Sequence, residues 1–183
     1  MRRAILVNGV PASGKSTVSA RLVPALLAAG VPAVPLSLDT VKEALFVHLG
    51  AGDREENRRL GRASYQAIFD SIAAFPDDLV PVVDAWHGFQ PPEVLRGHLE
   101  RARIGHVVEV WCRVPPETAA ARYRARARHP GHPPASYADE LYELAGRARP
   151  MGFGPVIELD SDGPPDPGDI VEILRLLGVG DTN

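Results

Sequence analysis

The sequence predicts an α/β fold built on a parallel sheet, and three observations carry that expectation. Short runs rich in β-branched and apolar residues alternate with longer stretches of helical spacing, the pattern of strands joined by crossover helices. The segment Gly9-Val10-Pro11-Ala12-Ser13-Gly14-Lys15-Ser16-Thr17 fits G-x-x-x-x-G-K-[ST] in full. It lies between the apolar run Ala4-Ile5-Leu6-Val7 and an amphipathic stretch, where a phosphate-binding loop belongs. Glycines and prolines then punctuate the chain wherever the alternation requires a turn.

In chain order, strands are expected at 4–8, 33–38, 79–84, 107–112 and 156–159. Helices are expected at 14–29, 40–49, 55–75, 92–102, 116–128, 136–148 and 169–177. The first helix shows Val18, Leu22, Val23, Leu26 and Leu27 at helical spacing, and the third carries the stripe Leu60, Ala63, Ala67, Ile68, Ile72. The breakers are Gly30 and Pro32, Pro76, Pro91-Pro92, Gly105, Pro115-Pro116, the stretch Pro130 to Pro134, and the loop Gly163-Pro164-Pro165-Asp166-Pro167. Pro81 falls inside the third strand and belongs near its start, because proline cannot donate to the ladder.

A chain of 183 residues with 45% apolar content supports one core, so 1–183 is expected to be a single domain. That length excludes the larger ring and transporter ATPases. Net charge of −3 and a pI near 6.1 argue against a nucleic-acid binder. The single cysteine, Cys112, cannot form an internal disulfide, and no secretory signal or membrane-spanning apolar run is seen, so a cytoplasmic location is expected. Lysine is scarce, with Lys15 and Lys42 set against eighteen arginines. Neither lysine sits in Asn-Lys-x-Asp, which excludes a Ras-type guanine reader.

Parallel sheets of this kind gather ligands at the carboxyl ends of their strands. After the first strand, amides of Gly9, Ala12, Ser13, Gly14, Lys15, Ser16 and Thr17 are expected to cradle phosphates, helped by the positive helix end. Lys15 would reach the β- and γ-phosphates, and the Ser16 hydroxyl would ligate Mg²⁺. Val82-Val83-Asp84 ends the third strand in a carboxylate suited to a Mg²⁺-bound water. Asp39 follows the second strand; it can cap the next helix, with Thr40-x-x-Glu43 as a capping box, or accept the proton of an attacking hydroxyl. The Arg-rich stretch Arg122 to Arg128 leads into His129-Pro130-Gly131-His132, a lid at about 122–137. On a helix Arg122 and Arg126 would share a face and clamp the transferring group, with Arg128 a further candidate. His129 and His132 can contact phosphates; without further ligands nearby they are a poor metal pair. An acceptor region is expected at about 39–75, with Arg58, Arg59 and Arg62 on it, and with Trp86 and His87 as an aromatic and polar wall.

Together these residues resemble the small P-loop kinases of the shikimate, gluconate and adenylylsulfate kinase type, and within them the chloramphenicol phosphotransferase-like and zeta-toxin-like set. The resemblance rests on Ile5-Leu6-Val7-Asn8-Gly9, on Asp39 followed by Val41-Lys42-Glu43-Ala44-Leu45, on Val82-Val83-Asp84, and on the Arg-rich helix before a lid. It implies a three-layer P-loop NTPase fold with strand order 2-3-1-4-5, which puts Asp84 beside the loop. It also aligns Asp39 with the acidic base of the group and Arg122 or Arg126 with its lid arginines. Ser37 replaces the first Asp of the shikimate-kinase Asp-x-Asp, and Asp84-Ala85-Trp86-His87 replaces the Asp-Gly-[FY]-Pro of adenylate kinase, which disfavours shikimate and nucleoside monophosphates. The implied activity is ATP- and Mg²⁺-dependent phosphorylation of a hydroxyl on a small molecule such as a sugar, a sugar derivative or an antibiotic. A nucleoside or polynucleotide kinase and a non-catalytic ATP-binding regulatory NTPase are the alternatives.

Overall fold

The computed structural model describes residues 1–127, 129–160 and 165–179. Arg128, Ser161 and the Gly163-Pro164 part of the last loop lie outside the described residues. Strands β1 (Arg2–Asn8), β2 (Ala33–Ser37), β3 (Val80–Asp84), β4 (Ile104–Arg113) and β5 (Val156–Asp160) form one sheet of order β2-β3-β1-β4-β5. Every pairing is parallel. Between and after the strands run α1 (Lys15–Ala28), α2 (Leu38–Leu49), α3 (Arg54–Ala73), α4 (Pro92–Arg101), α5 (Pro116–Ala125), α6 (Ala138–Arg147) and α7 (Pro167–Leu176).

Strand side chains alternate between faces, so a fully covered sheet needs apolar residues at both parities. Ile5 and Val7 of β1 join Val82, Val108 and Val110 on one face, packed by Val18, Leu22 and Leu26 of α1 and by Ile173 of α7. Ala4 and Leu6 point the other way, toward Tyr65, Ile68 and Phe69 of α3 and Leu95 and Leu99 of α4. Two helical layers around one sheet give the three-layer architecture expected above. A third cluster joins Val10 and Val114 to α5 and α6, so the arm bearing the lid has a small core of its own.

Several boundaries differ from those expected, each for a physical reason. β1 begins two residues early because Arg2 is buried and its guanidinium donates to the Ile72, Ala102 and Phe75 carbonyls at 2.6, 2.7 and 2.5 Å. It also pairs with Asp77 at 2.9 Å, so its charge closes the ends of two helices. Gly105, expected as a breaker, lies inside β4; the reversal falls one step earlier, where Arg103 takes φ 55°. Pro81 is the second residue of its strand, as its missing N–H requires. Ser37, not Asp39, caps α2, its Oγ accepting from the Thr40 N–H at 3.5 Å. The Thr40–Glu43 capping box is therefore replaced, and Asp39 occupies the first turn with its carboxylate available for other use. The capping box instead forms at α3, between Asp53 and Glu56.

The largest change concerns α5, which stops at Ala125. Arg126 has φ −84° and ψ 125°, an extended conformation. Arg122 and Arg126 consequently do not share a helical face, and only the first belongs to the helix.

Candidate active site

β1 delivers the chain into the loop, and two glycines shape it. A Cβ on Gly9 would overlap Ser13 Oγ and stand 2.8 Å from the Cys112 carbonyl, so no other residue fits under the loop. Gly14 takes φ 89° at the start of α1, a left-handed turn that L side chains resist. Ala12, at φ 65°, accepts a mild strain for the same curl. With no side chain capping α1, its first N–H groups face the cleft, where the dipole favours an anion. Lys15 Nζ donates to the Val10 carbonyl at 3.0 Å, folded back along the loop.

The Gly9, Ser13 and Thr17 amides are the exceptions to the expected cradle, the Thr17 N–H donating back to the Gly14 carbonyl at 2.9 Å. Gly9 N–H donates to Asn8 Oδ1 at 2.8 Å and Ser13 N–H to the Val10 carbonyl at 3.2 Å. These two residues build the underside of the loop, and Ala12, Gly14, Lys15, Ser16 and Thr17 line the cleft above it.

Beside the loop, β3 is paired in register so that Asp84 lies opposite Val7 and Ser37. Asp84 is only 6% exposed and is hydrogen-bonded to the Ser16 hydroxyl. Burial raises its pKa, and Asp39 pushes the same way, while Lys15, the Ser16 hydroxyl and Arg126 oppose the shift. That balance places two carboxylates, a lysine and an arginine within electrostatic reach of one another. Two hard oxygen donors, one neutral and one anionic, at the mouth of a phosphate cradle suit Mg²⁺, which takes few protein ligands and completes its shell with phosphate and water oxygens. Among the described residues no group of three or more His, Cys, Asp and Glu converges on a metal site of another kind.

The cleft has a volume of about 1160 Å³. Asp39, Arg58, Arg62 and Trp86 line it on the side of α2, α3 and the β3 exit, and Arg126 lines it from the lid. Arg62 also pairs with Glu55 at 3.1 Å. Three expected residues stand elsewhere. Arg122 is half-buried on α5 and does not line the cleft. Arg59 lies 4.0 Å from Glu56 on the exposed flank of α3. His87 is 1% exposed and turned inward.

His87 belongs to a buried network that the sequence did not disclose. Asn8 Oδ1 accepts from both the Gly9 and His87 N–H groups, at 2.8 and 3.0 Å. Asn8 Nδ2 donates to Glu109 Oε1 at 2.7 Å, and Glu109 also accepts from the Met151 and Gly152 N–H groups, each at 2.9 Å. His87 Nε2 faces the Val83 carbonyl at 3.3 Å, an acceptor only, so Nε2 carries the proton and Nδ1 accepts from Tyr65 Oη at 2.6 Å. One carboxylate thereby ties the phosphate loop, the exit of β3 and the segment after α6. The available signal was weak: Asn8 before the loop and Glu109 in an otherwise apolar strand, where a polar residue demands partners.

Burial pushes the His87 pKa down to about 3, so the neutral imidazole is the folded form. A depressed folded value means that this stabilisation is complete above the unfolded pKa of about 6.5 and is lost as pH falls from there toward 3. Each unit in that window is worth about 1.4 kcal/mol. Between pH 6.5 and 5 the urea midpoint of the protein should therefore fall more steeply than that of His87→Gln. Parallel profiles would refute the assignment.

Sheet order, loop and carboxylates together define a P-loop nucleotide-binding protein with the architecture of small kinases. The chain belongs to the AAA_33 family of AAA domains, which matches residues 5–148. No curated protein matches the sequence. Among solved structures, a provisionally designated kinase from Chloroflexus aurantiacus J-10-fl is 27% identical, with 95% of this chain and 97% of that one covered at a TM-score of 0.74. A sugar kinase from Janibacter sp. HTCC2649 is 17% identical, covering 98% and 96% at a TM-score of 0.54. Shikimate kinase from Aquifex aeolicus VF5 is 18% identical, covering 96% of each chain at a TM-score of 0.54. The last two likenesses are ones of fold. No helix among the described residues is long and apolar enough to cross a membrane.

Proposed function

We propose that this protein is an ATP- and Mg²⁺-dependent kinase that phosphorylates a hydroxyl group of a small molecule. The observation that carries the reading is Asp39. It opens into the same cleft as the phosphate loop, influences Asp84 electrostatically, and is released from capping by Ser37. A protein that only bound and slowly hydrolysed ATP would need Lys15, Ser16 and Asp84, but no second carboxylate across the cleft. The 27% identity to a kinase-designated structure supports the same reading.

In this mechanism Lys15 and the loop amides hold the β- and γ-phosphates. Ser16 and Asp84 would hold Mg²⁺, which supplies charge neutralisation on the phosphate oxygens when bound. Asp39 orients the acceptor hydroxyl and takes its proton as the oxygen forms its bond to the γ-phosphorus. The bond from that phosphorus to the β,γ-bridging oxygen breaks, and its electron pair leaves with ADP. Arg126 offsets charge on the transferring group. Arg58, Arg62 and Trp86 bound the space for the acceptor, in a cleft of about 1160 Å³ whose volume suits a small molecule.

ADP release should be followed with a panel of sugars, sugar acids, phenicols, aminoglycosides, nucleosides and nucleotide-sugars. Asp39→Asn should lower acceptor-stimulated kcat by about 10²- to 10⁴-fold with little change in ATP binding. Full acceptor-stimulated turnover in Asp39→Asn would remove the residue from the chemistry.

A further inference from the structure

The lid turn is fastened to the acceptor side of the cleft. Asn57 of α3 donates through Nδ2 to the Gly131 carbonyl, and its Oδ1 accepts from Lys42 Nζ at 2.7 Å. His132 Nε2 meets Glu43 Oε1 of α2 at 2.7 Å. The Phe46 ring stacks on His129 with centroids 5.5 Å apart and meets His132 edge-on at 6.0 Å, and Lys42 Nζ lies 5.3 Å above it. Gly131 is pressed so closely on that ring that a Cβ would overlap it.

Phe46 makes the arrangement unusual. It is the one buried residue of α2, at 4% exposed, yet it belongs to none of the three apolar clusters of the body. Its cover is the lid turn together with the Lys42 stem. Lys42 is itself half-buried, and its pKa is lowered by desolvation against the attraction of Asp39, three residues earlier on the same helix. At its other end the turn is tied to α5, where Tyr123 Oη donates to the Pro133 carbonyl at 2.9 Å. Arg126 lies between these two attachments, in extended backbone, lining the cleft and felt by Asp84.

We propose that Phe46, Asn57 and Lys42 are positioning residues that latch the 129–132 turn to α2 and α3 and thereby aim Arg126 at the transferring phosphoryl group. The role rests on the kinase reading above. Arg126 N–H still donates to the Arg122 carbonyl at 3.1 Å, so α5 holds one end of the residue, but its ψ of 125° leads the chain out of the helix and the aim of its guanidinium depends also on where the turn beyond is held. Because the latch belongs to the same α2–α3 wall that bears Asp39, Arg58 and Arg62, the acceptor wall and the phosphate clamp move as one body. An acceptor that orders the wall thus orders the clamp.

The test uses the full chain and two probes that need no acceptor. Hydrogen exchange of the His129, Gly131 and His132 amides should quicken about ten-fold in Asn57→Ala and in Phe46→Leu, a variant that keeps most of the side-chain volume, while the β1 amides keep their protection. Affinity for Mg·ADP with aluminium fluoride, the mimic of the transferring group, should fall at least ten-fold in Asn57→Ala and in Arg126→Ala. The double variant should lose little more than either single one, and affinity for Mg·ADP alone should hold within three-fold. Unchanged exchange in both latch variants overturns the latch. Faster exchange with unchanged affinity for the mimic, or losses that multiply in the double variant, overturns the positioning role. A wild-type protein that binds Mg·ADP no better with aluminium fluoride than without it removes the phosphoryl-transfer reading and the positioning role with it, and the exchange result still decides the latch.

Discussion

Lys15→Ala is expected to lower ADP release by on the order of 10³-fold or more while the protein stays folded, with its melting temperature within a few degrees of the wild type. The asymmetry follows from where the ammonium stands. Its hydrogen bond to the Val10 carbonyl lies in the half-buried wall of the cleft rather than in the core. Carrying no buried apolar load, the side chain contributes little to the fold. Against a γ-phosphate it faces charge that grows during transfer, in a cleft with reduced water, where a fixed cation counts for more than it does in bulk solvent. Loss of its charge also removes one of the forces that restrain the raised pKa of Asp84. Residual activity in Lys15→Ala should therefore fall off at a higher pH than activity in the wild type, as Asp84 takes up its proton sooner. A variant that kept a tenth of the wild-type rate would be incompatible with the proposed role of the loop.

Glu109→Ala should be the most damaging single substitution for stability. The carboxylate is fully buried and accepts three N–H groups from two segments, the end of β1 and the stretch after α6. Its removal strands those donors away from water, and an unpaired buried donor costs about 1–3 kcal/mol. Allowing for some entry of water, a loss of roughly 3–5 kcal/mol is expected, against a total of about 5–15 kcal/mol for a typical domain. Glu109→Gln keeps the volume and one acceptor and should lose less than half as much. The effect should also reach the site: a freed Asn8 amide no longer fixes the Gly9 N–H, so KM for ATP should rise even in the fraction that remains folded. Urea unfolding monitored at Trp111, two residues further along the same strand, measures the first effect. A loss under 1 kcal/mol would show that the network does not bear on the fold.

The phosphate loop was readable from sequence because its function resides in local backbone geometry. Gly14 is where it is because of the left-handed turn it makes, and Gly9 because Ser13 leaves it no room for a Cβ, with the Cys112 carbonyl of β4 adding a restriction from outside the loop. Asp84 was readable too, since an apolar run ending in a carboxylate fixes the strand end, and parallel order then brings it beside the loop. Asp39 was harder. Its capping and chemical roles predict the same residue at the same place, and only the observation that Ser37 performs the capping separates them. The sequence misled at Arg126, where continued helical spacing suggested a shared face with Arg122. Pro130, whose ring cannot sit above the carbonyl of residue 126 in a helix, bars α5 from running on, and the attachment of the next turn to Phe46 and Asn57 holds the chain there in extended form. His87 was misplaced for a related reason. After a strand, polar residues are expected to face the ligand, but Asn8 accepts the His87 N–H and Tyr65 offers its hydroxyl, so inward is the satisfied direction. The role of Lys42 is not legible in the sequence, because its partner Asn57 comes from a different helix.

The rarity of lysine has a practical side. Lys15 and Lys42 are the only lysines in the chain, and both line the same cleft. The molecule thus carries its side-chain amines nowhere but in this cleft, one at the phosphate loop and one beside the 129–132 turn. Acylating and Schiff-base-forming reagents, which scatter over the outside of most proteins, become site-directed here apart from the amino terminus. Nucleotide would shield the first amine and a closed lid the second, so the order in which the two are modified would report which half of the cleft stands open.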